Sequence, residues 1–417
     1  MMKMPVDISK AALRCETMST KIKQLTPGKT VAGRWTIQKL LGKGSCGVVF
    51  QVVDSKRKGY CAAMKVEYLS PEYDPTLKLE VGVLKKLNGS RDVMKLIDFG
   101  KRSNYAYMVT TLFGMDLISL RTKIKRGFND ASVLRVAVFV LSAIKQLHEV
   151  GYVHRDIKPG NVMTAGATGR DSRTFCVIDF GMARAYVVES KGKRKLRPRR
   201  ASILLRGTVR YCSLSVHARN EQSRADDLVA MMYMLVEITL GVPWRDAKDE
   251  QIVIKMKKET SIDELFADLP EELKTIYNYL QSLRYQDRPD YFKVYDLLMQ
   301  AMKRLQINFL DPYEWEDAEM ERDSNESGNP EEKNLPVETP LTSPVTISPL
   351  VTPSTPSAPS SAPKPAEIGP PVEEINTAVD YDPKELQTKK PLSREELQFL
   401  YFPELREKKF REVLLEI

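Results

Sequence analysis

Apolar and polar positions follow two different periods along this chain, and the change between them falls near residue 113. Residues 35–112 alternate in the manner of strands and enclose one helical pattern over 73–89. Residues 113–310 carry mainly the longer helical period. The longest apolar run, 228–236, is far shorter than the ~20 residues of a membrane span, so it predicts a buried core helix. The pattern therefore predicts an α+β fold with a small sheet-rich lobe before a larger helical lobe.

The two ends differ in composition from this folded part, which we predict to cover 33–317. Residues 1–32 carry little pattern and are expected to form a flexible arm. An acidic and then Pro/Ser/Thr-rich segment, 318–390, buries too little apolar surface to fold and is expected to be an extended linker. The last segment, 391–417, has an amphipathic helical pattern, so it is a candidate docking element for a partner.

Composition limits the classes of function. The five Cys of the 417 residues form no CxxC pair, which argues for a reducing compartment and against a zinc site. The presence of only three His further argues against a zinc site. The N-terminus has no apolar stretch typical of a secretory signal. We expect a cytoplasmic monomer, with the nucleus as the alternative compartment and no membrane partner.

The net charge of +9 is concentrated rather than spread. Seven of the ten residues 191–200 are basic, whereas 314–332 holds nine acidic residues. The basic run lacks the interleaved aromatic residues that stack on bases, so no specific nucleic-acid partner is expected. The run is either an anion-binding surface or a solvated loop.

A glycine-rich string, LGKGSCGVVF at 41–50, is the first candidate for chemistry. Its spacing places Gly42, Gly44, Gly47 and Val49 where a backbone without Cβ atoms can approach phosphates. A plain glycine-rich hairpin would have the same appearance, so the string alone is weak. Lys65 follows in a strand-like run, CAAMKVE, and in this order it is the cation expected at the nucleotide phosphates.

A more specific string, HRDIKPGN at 154–161, matches the catalytic loop of protein kinases. In such a loop Asp156 orients the substrate hydroxyl, Lys158 neutralises charge on the transferred phosphoryl group, and Asn161 reaches a Mg²⁺ ion. Glu80, on the predicted helix of the small lobe, is the best-placed ion-pair partner for Lys65.

The tripeptide Asp-Phe-Gly occurs twice, at 98–100 and at 179–181, and only one copy can hold a metal. The metal-binding aspartate of a kinase follows the catalytic loop across a short hairpin, and Asp179 satisfies this order. Asp98 precedes the loop and is expected at a strand end and turn of the small lobe.

With these motifs the chain resembles a eukaryotic protein kinase, which implies the bilobal kinase fold. RGTVRYCSLSVH (206–217) lacks the usual Ala-Pro-Glu and resembles the casein kinase 1 superfamily. The strings at 223–251, 283–291 and 312–316 look most like its tau-tubulin kinase branch, which is expanded in nematodes. The resemblance covers roughly 33–317 and implies phosphorylation of Ser or Thr in proteins with ATP and Mg²⁺.

The resemblance also implies roles for residues around the nucleotide. Thr110 aligns with the residue that guards the back of the pocket, and Asp227 with the buried aspartate that anchors the catalytic loop. Cys46 departs from the usual Phe at the glycine-loop tip. The expected lining of the nucleotide pocket is Leu41, Gly42, Gly44, Gly47, Val49, Ala63, Lys65, Thr110, Leu112, Phe113 and Ile178.

Two hypotheses compete for the whole chain. In the first it is an active kinase with Asp156, Lys158, Lys65 and Glu80 as catalytic residues and Asn161 and Asp179 as metal ligands. Arg210, Arg199 and Arg200 then form one anion site that favours acidic or already phosphorylated substrates. In the second it is a kinase-fold scaffold that acts through the basic run and the tail with little phosphate transfer.

Overall fold

The computed structural model describes residues 25–44, 47–69, 76–90, 92–167, 172–190, 193–200 and 203–316. The predicted linker, the 391–417 segment and Cys46 lie outside these residues. Leu25 and Val31 are buried in the small-lobe core, so the packed structure starts before the predicted boundary at 33.

The small lobe is built on one antiparallel sheet of six strands in the order β1-β2-β3-β4-β6-β5. Burial alternates along β3 and β4, which is the signature of a sheet with one face on a core. Trp35 and Ile37 are fully buried in that core. The strands are β1 Thr30–Val31, β2 Trp35–Gly44, β3 Gly47–Asp54, β4 Cys61–Tyr68, β5 Leu96–Lys101 and β6 Tyr105–Thr111.

One helix, α1 Thr76–Lys86, crosses this sheet. Glu67 holds its first turn, because its carboxylate accepts from the backbone N–H of Leu77 at 2.8 Å and of Thr76 at 3.1 Å. An acidic group at these unpaired N–H groups stabilises a helix start. The helix ends just before Gly89, which has a φ of +84°. The helix predicted over 73–89 is therefore present in a shorter form.

The large lobe is helical, as the apolar period predicted. Its central helices begin at side-chain caps: Asn129 accepts from Ser132 N–H, and Ser223 with Asp226 forms a capping box. The helices are α2 Leu117–Ile124, α3 Asp130–Glu149, α4 Leu214–His217, α5 Arg224–Thr239, α6 Glu250–Glu259, α7 Ile262–Leu265, α8 Glu271–Gln281 and α9 Tyr291–Arg304.

Helices α3 and α5 form the centre of the large-lobe core. Every residue of α5 is buried, which confirms the core-helix prediction for 228–236. Helix α3 is long and apolar enough to cross a membrane by length and composition alone. Sixteen of its side chains are buried against the lobe, from Ser132 to His148, so it packs as a core helix of the domain.

Three short antiparallel strand pairs lie outside the six-stranded sheet. They are β7 Tyr152–Val153 with β10 Arg184–Ala185, β8 Val162–Thr164 with β9 Phe175–Val177, and β11 Val187–Ser190 with β12 Lys193–Leu196. The last pair contains part of the basic run. Arg197 then donates from its backbone to Tyr186 O at 2.7 Å and from its Nε to Ala185 O at 3.0 Å. The solvated-loop interpretation of the run is therefore wrong for 193–197.

Candidate active site

Lys65 lies where the two lobes meet, on β4. Its Nζ is 2.7 Å from Glu80 Oε2 on α1 and 3.0 Å from Asp179 Oδ1. Burial opposes the charged form of Lys65, but the two carboxylates outweigh it and raise its pKa above the ordinary value. Lys65 is therefore a fixed cation held by residues from two separate elements.

Asp156 is almost fully buried and accepts hydrogen bonds on both carboxylate oxygens. Oδ1 accepts from Thr208 Oγ1 at 2.7 Å and from Thr208 N–H at 3.0 Å. Oδ2 accepts from Lys158 Nζ at 2.7 Å and from Asn161 Nδ2 at 3.2 Å. These donors fix the direction of the carboxylate.

Asp227, at the start of α5, anchors the catalytic loop through hydrogen bonds to its backbone, as the resemblance implied. Its Oδ2 accepts from His154 N–H at 2.6 Å and lies 2.9 Å from His148 Nε2. Its Oδ1 accepts from Arg155 N–H at 2.8 Å. Arg155 has a φ of +70°, and a strained conformation of this kind persists only where neighbouring contacts over-determine it.

The two Asp-Phe-Gly copies lie in different structural environments. Phe180 is buried, and its ring centroid lies 5.3 Å from that of His154 in the catalytic loop, which directs Asp179 toward Lys65. Asp98 instead accepts from Trp35 Nε1 at 2.6 Å. The first copy lies in the second half of strand β5, which continues to Lys101, so the predicted strand end is present and the turn comes after residue 101 rather than at 98–100.

The glycines of the first strand pair are required for two different reasons. Gly47 has a φ of +153°, and an added Cβ would lie 2.2 Å from Val66 O, so the fold itself demands glycine there. Gly42 and Gly44 would place a Cβ in open space. Their lack of a side chain therefore leaves room for a ligand next to the backbone of β2.

The expected nucleotide-pocket residues occupy neighbouring strands and the segment after them. Val49 pairs with Lys65, and Ala63 pairs with Thr110. Thr110 is buried at the end of β6. Leu112, Phe113 and Ile178 are half-buried, whereas Leu41 is exposed on β2.

Two of the three arginines expected to form one anion site, Arg210 and Arg200, have different partners among the described residues. Arg210 Nη2 donates to Arg245 O at 2.6 Å, and Arg210 Nη1 is 3.5 Å from Glu237. Arg200 makes a bidentate pair with Glu221 at 2.7 and 2.9 Å. Arg199 is exposed. The sequence grouped these residues because they are near in the chain; Arg210 and Arg200 form ion pairs with different glutamates.

A groove of about 330 Å³ beside the catalytic loop was not anticipated. Arg121 lines it, and its buried Nε has no hydrogen-bond partner among the described residues. Burial and the nearby Arg245 lower the pKa of Arg121. The groove is lined by Ile118, Arg121, Thr122, Lys125, Arg126, Pro159, Arg210, Tyr211, Glu237 and Ile238.

Sequence reasoning also missed Thr208, which touches Asp156 directly. The only signal was its place in the GTVRY string, which was used to assign the family rather than a contact. The sequence signal for a groove at Arg121, Lys125 and Arg126 was weaker, because basic residues at the end of a helix usually interact with the helix dipole.

With this geometry in place, comparison with known proteins assigns a family. Residues 35–302 match the protein kinase domain, so the chain belongs to the protein kinase family. A putative serine/threonine-protein kinase of Caenorhabditis elegans is 39% identical over 289 residues, covering 69% of this chain and 84% of that relative. The serine/threonine-protein kinase spe-6 of C. elegans is 30% identical over 296 residues, covering 69% of this chain and 76% of that relative.

A protein of another organism is also similar to this chain. A probable serine/threonine-protein kinase of Dictyostelium discoideum is 35% identical over 294 residues, which cover 69% of this chain and 58% of that relative. The protein is a serine/threonine kinase, and as such it acts on protein substrates with ATP and a divalent metal. The scaffold hypothesis is not needed to explain any feature of the site.

Proposed function

We propose that this kinase transfers the γ-phosphoryl group of ATP to Ser or Thr in acidic or already phosphorylated segments of proteins. The observation that carries the proposal is the groove beside the catalytic loop, in which four cations, Arg121, Lys125, Arg126 and Arg210, face a single carboxylate, Glu237. Glu237 is already engaged by Arg245 at 3.0 Å. The groove thus carries a surplus of positive charge that an anionic substrate side chain would neutralise.

The roles assigned to the catalytic loop follow from its contacts. Asp156 Oδ1 is oriented by Thr208, so in this proposal the same carboxylate receives the hydrogen bond of the substrate hydroxyl and increases the nucleophilicity of its oxygen. Lys158, 2.7 Å from Asp156, carries a charge that can follow the phosphoryl group during transfer. Lys65 is the fixed cation for the α- and β-phosphates, and Glu80 keeps it in place.

The residues present suit Mg²⁺. Burial opposes ionisation of the Asp179 carboxyl, but the nearby Lys65 cation outweighs it and lowers the pKa of that carboxyl. Asn161 donates from Nδ2 to Asp156 O at 2.9 Å, which leaves its amide oxygen as a metal ligand. When bound, Mg²⁺ supplies charge neutralisation at the phosphates; Asp179 and Asn161 would hold it.

We further propose that the chain is a member of the casein kinase 1 superfamily near the tau-tubulin kinase branch. The support is the segment 206–217, which has no Ala-Pro-Glu and leads into the short helix α4. On sequence grounds alone, we also propose that the protein is a cytoplasmic monomer that binds a partner through residues 393–417.

The test uses three peptides that differ only on the N-terminal side of one acceptor serine, where they carry phosphoserine, serine or lysine. The purified kinase should prefer the phosphoserine peptide by about tenfold or more, since each charge-assisted pair contributes roughly 1.5–3 kcal/mol. Arg121→Gln and Arg210→Gln should each reduce this preference. Lys303→Gln, on the exposed face of α9, is the control. Equal use of the three peptides by the unmodified enzyme would refute the acidic preference.

A further inference from the structure

Lys257 on α6 is a buried amino group for which the reaction scheme above has no role, and burial lowers its pKa to about 7. Only 6% of the residue is exposed, and its Nζ lies within 4.0 Å of no carboxylate among the described residues. Its Nζ lies over two aromatic rings, 4.8 Å from the centroid of Tyr233 and 5.2 Å from that of Trp244. A buried charge without a carboxylate is costly unless hydrogen bonds and ring faces compensate it.

All three N–H groups of this ammonium have acceptors. Nζ donates to Cys212 O at 2.6 Å and to Val209 O at 3.0 Å, and it lies 3.2 Å from His217 Nε2. His217 Nδ1 is 3.0 Å from Glu250 Oε1, so the histidine donates to Glu250 and accepts from Lys257. The three acceptors match the donor capacity of a protonated lysine.

Glu250 is held in turn by a residue nearer the surface of the protein. Arg219 pairs with both of its oxygens, at 2.7 and 2.8 Å. The result is a continuous chain of contacts from the surface residue Arg219 through Glu250 and His217 to Lys257. Both backbone acceptors at its inner end belong to one short segment, 209–212.

That segment connects two parts of the proposed site. Thr208, the residue before it, contacts Asp156, while Arg210 and Tyr211, inside it, line the basic groove. Trp244 Nε1 also donates to Arg210 O at 2.8 Å. The carbonyl groups of Val209, Arg210 and Cys212 are therefore fixed from α6 and from the loop before it.

We infer that Lys257 is a positioning residue for substrate recognition, because it ties the Val209 and Cys212 carbonyls to α6 and so fixes the groove-lining Arg210 and Tyr211. Lys257 touches neither the nucleotide residues nor Asp156. Its loss should therefore weaken the binding of the peptide more than that of ATP. The inference rests on the proposed function, since it requires peptides to bind along 208–212.

The test compares Lys257→Met, which keeps the stem and removes the donors, with Lys258→Met, an exposed neighbour on the same helix. The KM for the preferred peptide should rise about tenfold in Lys257→Met, the loss expected for hydrogen bonds from a charged group. The KM for ATP should stay within about twofold, and the Lys258→Met variant should match the unmodified enzyme. Lys257→Arg, which restores a charged donor, should recover part of the affinity.

Hydrogen exchange of the 208–212 amides gives a second measurement on full-length protein. Faster exchange there, with slow exchange preserved in α5, is the expected result for Lys257→Met. An unchanged peptide KM, or equal increases in the KM for peptide and for ATP, would overturn the inference. If Lys257→Met does not fold, His217→Gln replaces it and should give a smaller rise in the peptide KM alone. A wild-type enzyme that shows no peptide preference would instead count against the proposed function.

Discussion

Thr208 Oγ1 donates a 2.7 Å hydrogen bond to Asp156 Oδ1, and the backbone N–H of the same threonine donates to the same oxygen at 3.0 Å. A residue of the segment 208–212 thus sets the direction of the carboxylate in the catalytic loop. The two segments are 52 residues apart in sequence. Their contact means that the segment around 208 and the reactive carboxylate are ordered together.

Thr208→Val should lower kcat about tenfold, because it removes one charge-assisted hydrogen bond of roughly 1.5–3 kcal/mol from Asp156 and keeps the side-chain volume. Thr208→Ser, which retains the hydroxyl, is the matched control and should keep near-normal kcat. Steady-state kinetics at saturating ATP measures both. A kcat in Thr208→Val equal to that of Thr208→Ser would show that the backbone N–H alone orients Asp156.

The two Asp-Phe-Gly copies should respond oppositely to the same substitution. Asp179→Asn removes the carboxylate that faces Lys65 and should reduce kcat by at least about 100-fold, with little change in thermal stability. Asp98→Asn weakens the bond from Trp35 and should cost about 1 kcal/mol of stability with kcat preserved. Kinetics and thermal unfolding are compared for both variants. A larger loss of kcat in Asp98→Asn would reverse the assignment.

Glu250 should make the free energy of unfolding depend on pH in the acid range. Its hydrogen bond with Arg219 is the largest cause of a pKa lowered from 4.5 to about 2. Since the folded pKa is below the unfolded one, the contribution to stability is present above about pH 4.5 and is lost as the pH falls toward 2. Unfolding free energies between pH 6 and pH 3 should therefore fall more steeply in the unmodified protein than in Glu250→Gln. Parallel curves would contradict the shift.

The segment 311–316, beyond the matched kinase domain, should be essential for stability. Trp315 is buried against Phe128 and stacks on Tyr313 at 4.4 Å between ring centroids, while Glu314 accepts from Asn129 N–H at 2.6 Å. Trp315→Ala should lower the free energy of unfolding by about 3–5 kcal/mol.

The matched comparison for Trp315→Ala is Leu310→Ala, since Leu310 is 62% exposed and should change little. Denaturant unfolding measures the difference between the two variants. A comparable loss in both would mean that the buried ring does not hold the segment in place.

The elements and the order of the motifs could be predicted from the amino-acid sequence. Periodicity gave a strand-rich lobe before a helical lobe, because a strand buries every second residue and a helix every third or fourth. The order of Lys65, Asp156, Asn161 and Asp179 indicated which Asp-Phe-Gly copy belongs at the site. These features are local, or depend only on succession along the chain, and so they can be read without coordinates.

Which side chains contact one another became clear from the three-dimensional structure alone. The proximity of Arg210 and Arg200 in sequence suggested one anion site, yet Glu237 and Glu221 hold them in different ion pairs. The contacts of Thr208 with Asp156 and of Lys257 with 209–212 join elements about 50 residues apart. No local pattern encodes such contacts, because they depend on how the segment after β12 folds back across α5 and α6. Burial of the core elements fixes that path, and the path then determines the partner of each charge.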